Sequence, residues 1–260
     1  MGNYPDFVIE NGVLKNYRSY DSKIFIPEGV IAIDDGVFSG NERIRSVYIP
    51  DGVRRIGDGA FEGCISLCEI GLPSSVEYLG ASAFAGCTSL VNFWFPSNIG
   101  MTKICDATFC GCSSLKYVDF SDKFTEIEQG AFMGCTSLDH IQLPANLTKL
   151  GYGAFENCKK LGYITIPEGI SEIPSFAFSC CANLKRVTLP DGLKSIGDHA
   201  FEYCRSMTAV SIPFALKEIG SFAFSNCDNL EKIYYGGTLP MWQRIYKGAY
   251  AFPDHAEVSC

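Results

Sequence analysis

Apolar residues recur along this chain with one dominant period. Phe38, Phe61, Phe84, Phe109, Phe132, Phe155, Phe178, Phe201 and Phe224 follow one another at 23 residues, except for one step of 25 between Phe84 and Phe109. Other columns keep step with them. Five residues before each Phe stands Ile or Leu, from Ile33 to Ile219. Three residues after it stands Cys, from Cys64 to Cys227, with Asn41 in the first unit. Six after it comes Ile44, a Leu, or Met207. A proline column runs from Pro27 to Pro213, broken by Ser121. Self-similarity at such a period is the signature of stacked repeats.

Within a unit, the opening alternates apolar and polar residues, as in Leu138-Asp-His-Ile-Gln-Leu143. That pattern predicts a short strand with one buried face. Proline then ends ladder pairing and turns the chain. The Gly-x-x-Ala-Phe-x-x-Cys stretch reads as one irregular or helical turn, too short for a free-standing helix. A single unit cannot bury its apolar side, but stacked units cover one another. The expectation is an α/β-type repeat solenoid of about nine 23-residue repeats, with a parallel sheet on one face. At the ~4.8 Å strand spacing it forms a rod ~40 Å long. The two extra residues near Asn98-Ile99-Gly100-Met101 should bulge as a loop without breaking the stack.

The repeat divides the chain into residues 24–233 as the solenoid, 1–23 as an N-terminal cap and 234–260 as a C-terminal cap. Asn11-Gly12 between two apolar stretches predicts a hairpin in the first cap. In the second, where the Pro and Phe columns end, Pro240 to Ile245 reads as a short helix that leaves Trp242 free to lie on the last unit.

These residues closely resemble the BspA-like leucine-rich repeat family. The Leu-x-x-Ile-x-Ile-Pro opening, the Ile-Gly-x-x-Ala-Phe centre and the Phe-x-x-Cys-x-x-Leu close carry the resemblance over nearly the whole chain. It implies a right-handed, curved leucine-rich repeat superhelix. It also implies a binding protein of bacterial type, with host or cell-surface adhesion as the usual role and no shared catalytic residues. The resemblance points to a surface or secreted setting. The start of the chain shows no basic and apolar leader, and many free cysteines fit a reducing or anaerobic setting. The compartment therefore stays open.

Composition narrows the chemistry. A net charge of −8 argues against nucleic acid and anionic membranes as partners. No apolar run is long enough for a spanning helix, so no membrane insertion is expected. The 13 cysteines lack the paired Cys-x-x-Cys spacing of zinc sites. Parallel side chains in one column disfavour disulfide torsions. They read as small apolar filler. His140, His199 and His255 occupy different slots, and no nucleophile elbow, phosphate loop or dinucleotide motif occurs. The chain is therefore read as a non-enzyme with no cofactor and no metal. Asn146-Leu-Thr148 matches a glycosylation sequon, which matters only in a secreted eukaryotic protein.

The outward strand positions vary while the inward ones repeat. Tyr48, Trp94, Tyr117, Asp119, His140, Gln142 and Tyr163 fall there. Aromatic residues with polar tips are enriched at interfaces, but they also simply favour strands. These seven are the candidate partner-binding patch of a monomer. An extended face suits a protein, or a polysaccharide, better than a small metabolite. An intracellular structural scaffold is the remaining alternative.

Overall fold

The computed structural model describes residues 5–260. The chain winds through about 11 turns of ~23 residues, slightly more than the spacing of Phe alone suggests. Most turns open with a strand of three or four residues, such as Ser46–Tyr48, Glu69–Gly71 and Arg186–Thr188. Neighbouring strands pair in parallel, one full unit apart, as Val47 with Ile70 and Ile164 with Val187. This is the expected sheet.

A second file of strands lies where the sequence suggested none. After the proline turn, two residues per coil pair with the next coil, as Arg55-Ile56 with Tyr78-Leu79 and Ser195-Ile196 with Glu218-Ile219. Two residues are too few to show alternation, which is why the pattern does not reveal them. The solenoid thus has a parallel sheet on each of two faces.

The stretch around Phe is not helical. Its amide N–H groups alternate between two destinations. Gly59, Phe61 and Gly63 donate to Ala81, Ala83 and Ala85 of the next coil, at 2.7–2.8 Å. Ala60, Glu62 and Cys64 donate back within their own coil. Every donor is satisfied without a helix, as buried backbone requires.

Inside, the phenylalanines form a single file. Phe132 and Phe155 are 5.3 Å apart and nearly parallel, and Phe201 and Phe224 are 5.0 Å apart. Both Phe132 and Phe201 are fully buried. The file extends beyond the nine units at both ends. Tyr17 packs on Phe38 at 5.3 Å, and Phe252 stacks on Phe224 at 4.9 Å. The Phe column therefore does not end at Phe224. A helix, Leu239–Arg244, is inserted before its last member and hides the spacing.

At the N-terminus, Phe7–Glu10 and Val13–Tyr17 pair antiparallel about Asn11 and Gly12. Both turn residues have positive φ, 51° and 79°, as the favoured hairpin turn demands. Val13-Leu14 then pairs in parallel with Ala32-Ile33, so the hairpin doubles as the first rung. At the other end, Trp242 is buried against Tyr235 and Phe252. The 25-residue unit keeps the ring stack, with Phe84 and Phe109 5.7 Å apart. Its loop tucks Ile99 and Met101 into the core. Both sheets part there, since Tyr78-Leu79 and Lys103-Ile104 belong to different sheets, as do Glu69–Gly71 and Asn92–Trp94.

Candidate functional site

The cysteine column does more than fill space. Each thiol donates to the carbonyl of a phenylalanine one coil back: Cys64 to Phe38 at 3.1 Å, Cys135 to Phe109 at 3.2 Å, Cys227 to Phe201 at 3.1 Å. That carbonyl already accepts the amide of its own coil's third following residue, as Cys64 N–H to Phe61. The thiol thus takes its second lone pair. Burial pushes the Cys64 and Cys112 thiols up to about 12. Cys135 and Cys158, fully enclosed, are pushed up for the same reason. A reactive cysteine needs the opposite environment, exposed and electropositive. Among the described residues, no three His, Cys, Asp or Glu side chains converge as metal ligands. Among the described residues, no helix is long and apolar enough to cross a membrane.

The outward face of the first sheet carries the candidate patch. Trp94 is 55% exposed and pairs across the ladder with Asp119. Tyr117 stands 6.0 Å from His140, and His140 stands 6.5 Å from Tyr163, with its ring nearly parallel. The imidazole Nδ1 lies 2.6 Å from the Asp139 carboxylate, which accepts its N–H. Gln142, His140, Tyr163, Thr165 and Glu168 line an open cleft of about 580 Å³. The structure therefore joins Tyr117, His140, Gln142 and Tyr163, with Trp94 and Asp119 adjoining them. Tyr48 stands apart. It lies on an earlier coil beside Phe25, over a separate hollow of about 480 Å³ with Lys23 and Glu69.

The segment 139–143 departs from its expected strand. Its side chains alternate in burial, with Ile141 inward and His140 and Gln142 outward, yet it joins neither neighbouring ladder. One bond, from the Gly162 amide to the Asp139 carbonyl, ties it to the next coil. The patch thus sits where the ladder of the first sheet is interrupted.

A second aromatic file, half-buried at its centre and exposed at Tyr152 and Tyr250, escapes the sequence reading. Tyr152, Phe176, His199, Phe222 and Tyr250 stack on successive coils with centroids 4.6–5.4 Å apart. Glu202 accepts from His199 Nδ1 at 2.7 Å. Phe176, His199, Phe222 and Tyr250 all have φ between 54° and 61°, a region bulky residues rarely enter. For all but Tyr152, which lies one residue outside it, the signal was present in the slot two residues before each core Phe, which holds Gly, Ser82 or Ala107 in the first six units and an aromatic residue from Phe176 onward.

Comparison with known proteins follows the geometry. The model of the BspA type leucine rich repeat region matches residues 8–138 and 125–252. No match is found among curated proteins. Among solved structures, a leucine rich cell surface protein from Faecalibacterium prausnitzii is 24% identical, with a TM-score of 0.50, over 92% of this chain and 95% of that one. A leucine rich repeat protein of T. pallidum is 25% identical, with a TM-score of 0.53, over 75% of this chain and 82% of that one. The pneumococcal vaccine antigen PcpA is 16% identical, with a TM-score of 0.54, over 91% of this chain and 73% of that one. With its repeat matched over nearly the whole length, this chain belongs to the BspA-type leucine-rich repeat family.

Proposed function

We propose that this chain is a non-enzymatic binding protein that holds a protein partner against the outward face of its first sheet. The contact centres on Trp94, Tyr117, Asp119, His140, Gln142 and Tyr163, with Tyr48 a separate contact on an earlier coil. One observation carries the reading. The inward columns repeat from coil to coil, whereas the outward residues of the same strands change freely, so those slots are released from serving the stack. Large aromatic rings left in water beside polar groups suit a partner's surface. The F. prausnitzii relative is described as a cell surface protein, which supports adhesion as the setting. A polysaccharide is the second reading, favoured by the exposed Trp94 ring, whose face can stack on a sugar.

The test is a panel of immobilised proteins and glycans probed with the full chain. A protein ligand from the panel should lose at least about tenfold in affinity, ~1.4 kcal/mol, to the Trp94→Ala/Tyr117→Ala variant. The variant's far-ultraviolet spectrum and unfolding midpoint should stay near those of the native chain. Unchanged affinity would place the contact elsewhere, and a response from glycans alone would favour the second reading.

A further inference from the structure

Phe214 stands 57% exposed on the turn after Pro213, where the two faces meet at the C-terminal end. It forms a ridge between two hollows. One, of about 570 Å³, opens toward Ser211 and Tyr234 of the first sheet. The other, of about 440 Å³, has an apolar floor and wall of Phe214, Ala215, Leu216, Met241 and Ile245.

The charged lining of this second hollow is of one sign. Lys194, Lys217 and Arg244 line it, and no carboxylate does. The three belong to successive coils. The Lys217 amide donates to the Lys194 carbonyl at 2.8 Å, and Tyr246, two residues beyond Arg244, donates to the Lys217 carbonyl at 3.0 Å. None of the three makes an ion pair among the described residues. Of the acids nearest along the chain, Asp191 lines the other hollow and Glu218 lines neither. A row of uncompensated cations thus borders an apolar floor in a chain of net charge −8.

We propose that this corner docks an acidic peptide segment of a partner protein, with an aromatic or aliphatic side chain as its anchor. Charge complementarity selects the sign of the ligand. Cations on three coils at ~4.8 Å per step span enough of the trough to meet more than one carboxylate. The volume lies within the roughly 300–1,000 Å³ of ligand clefts and takes a large apolar side chain between Phe214 and Met241. An anionic bilayer fits less well, because the apolar groups wall a hollow that takes a single side chain and not a flat lipid surface. The site shares no residue with the Trp94 patch, so each stands or falls without the other.

The experiment is fluorescence anisotropy on the full chain. The probe is a labelled short peptide of alternating Glu and Phe, compared with one in which Lys replaces each Glu. The acidic peptide should bind at least about tenfold tighter than the basic one, and added salt should weaken it. Lys194→Glu/Lys217→Glu/Arg244→Glu should abolish that preference, and Met241→Ser should weaken binding with the salt dependence kept. The Trp94→Ala/Tyr117→Ala variant should bind like the native chain. Equal binding of both peptides, or an unmoved affinity in the charge-reversed variant, would overturn the proposal. So would co-sedimentation with phosphatidylserine vesicles without peptide binding.

Discussion

The two halves of the solenoid make the same backbone turn with opposite kinds of residue. In the first six units the slot two residues before the core Phe holds small residues, Gly36, Gly59, Ser82, Ala107, Gly130 and Gly153, with φ between 52° and 64°. In the C-terminal half the slot is Phe176, His199 and Phe222, with φ between 56° and 61°. The backbone there is set by the stack, which needs alternate amides directed at the next coil. The side chain is set by what the surface is for. Glycine takes the left-handed conformation freely, whereas a bulky residue there costs of order 1–3 kcal/mol. Stacking on the next coil offsets about 0.5–1.5 kcal/mol of that.

The largest effect should come from the part the two halves share. Phe132→Ala and Phe201→Ala should each destabilise by about 3–5 kcal/mol in urea unfolding, and by similar amounts. A much smaller loss in one half would mean that the file is interrupted there. Next come the thiols. Cys135→Ala and Cys204→Ala should each cost about 1–3 kcal/mol, since a buried carbonyl loses a donor and a small void opens. Burial raises the Cys64 and Cys112 thiols from 9.0 to about 12 in the folded chain. Their contribution is complete below the unfolded value and fades as pH climbs through the folded one. Unfolding midpoints should therefore fall between roughly pH 9 and 12, and Cys64→Ala/Cys112→Ala should flatten that fall.

The smallest effects probe the contrast itself. Phe176→Gly should shift stability by less than about 1 kcal/mol, because strain and stacking leave together. Gly59→Phe should cost about 1–2 kcal/mol, because the same slot on the adjacent coils holds Gly36 and Ser82, neither of which offers a ring to stack on. If the two substitutions proved equal in size, ring stacking would not be what sustains the aromatic file.

The core was legible in the sequence because burial leaves few choices. Phe, Cys and Leu recur where each must fill the same space in every coil. The second sheet was hidden, since a two-residue strand such as Arg55-Ile56 carries no periodicity. The last rung was hidden by the inserted helix, which moves Phe252 out of step. The patch was legible only as outward position. Tyr117, His140 and Tyr163 meet because they hold one outward slot on successive coils, and Tyr48 stands two coils before Trp94 with Gly71 between them; that 139–143 leaves the ladder depends on backbone geometry a column alignment does not carry. The aromatic file was carried by a slot of the repeat that went unread, whereas the cationic corner needed three dimensions, because the inserted helix brings Arg244 beside Lys194 and Lys217.

A double-mutant cycle on the ring file tests the stacked account most directly. Phe132→Ala and Phe155→Ala, on adjacent coils 5.3 Å apart, should be coupled by about 0.5–1.5 kcal/mol. Phe61→Ala and Phe201→Ala, many coils apart, should add within about 0.5 kcal/mol. Coupling of equal size in both pairs, or additivity in both, would contradict a file in which each ring rests on its neighbours.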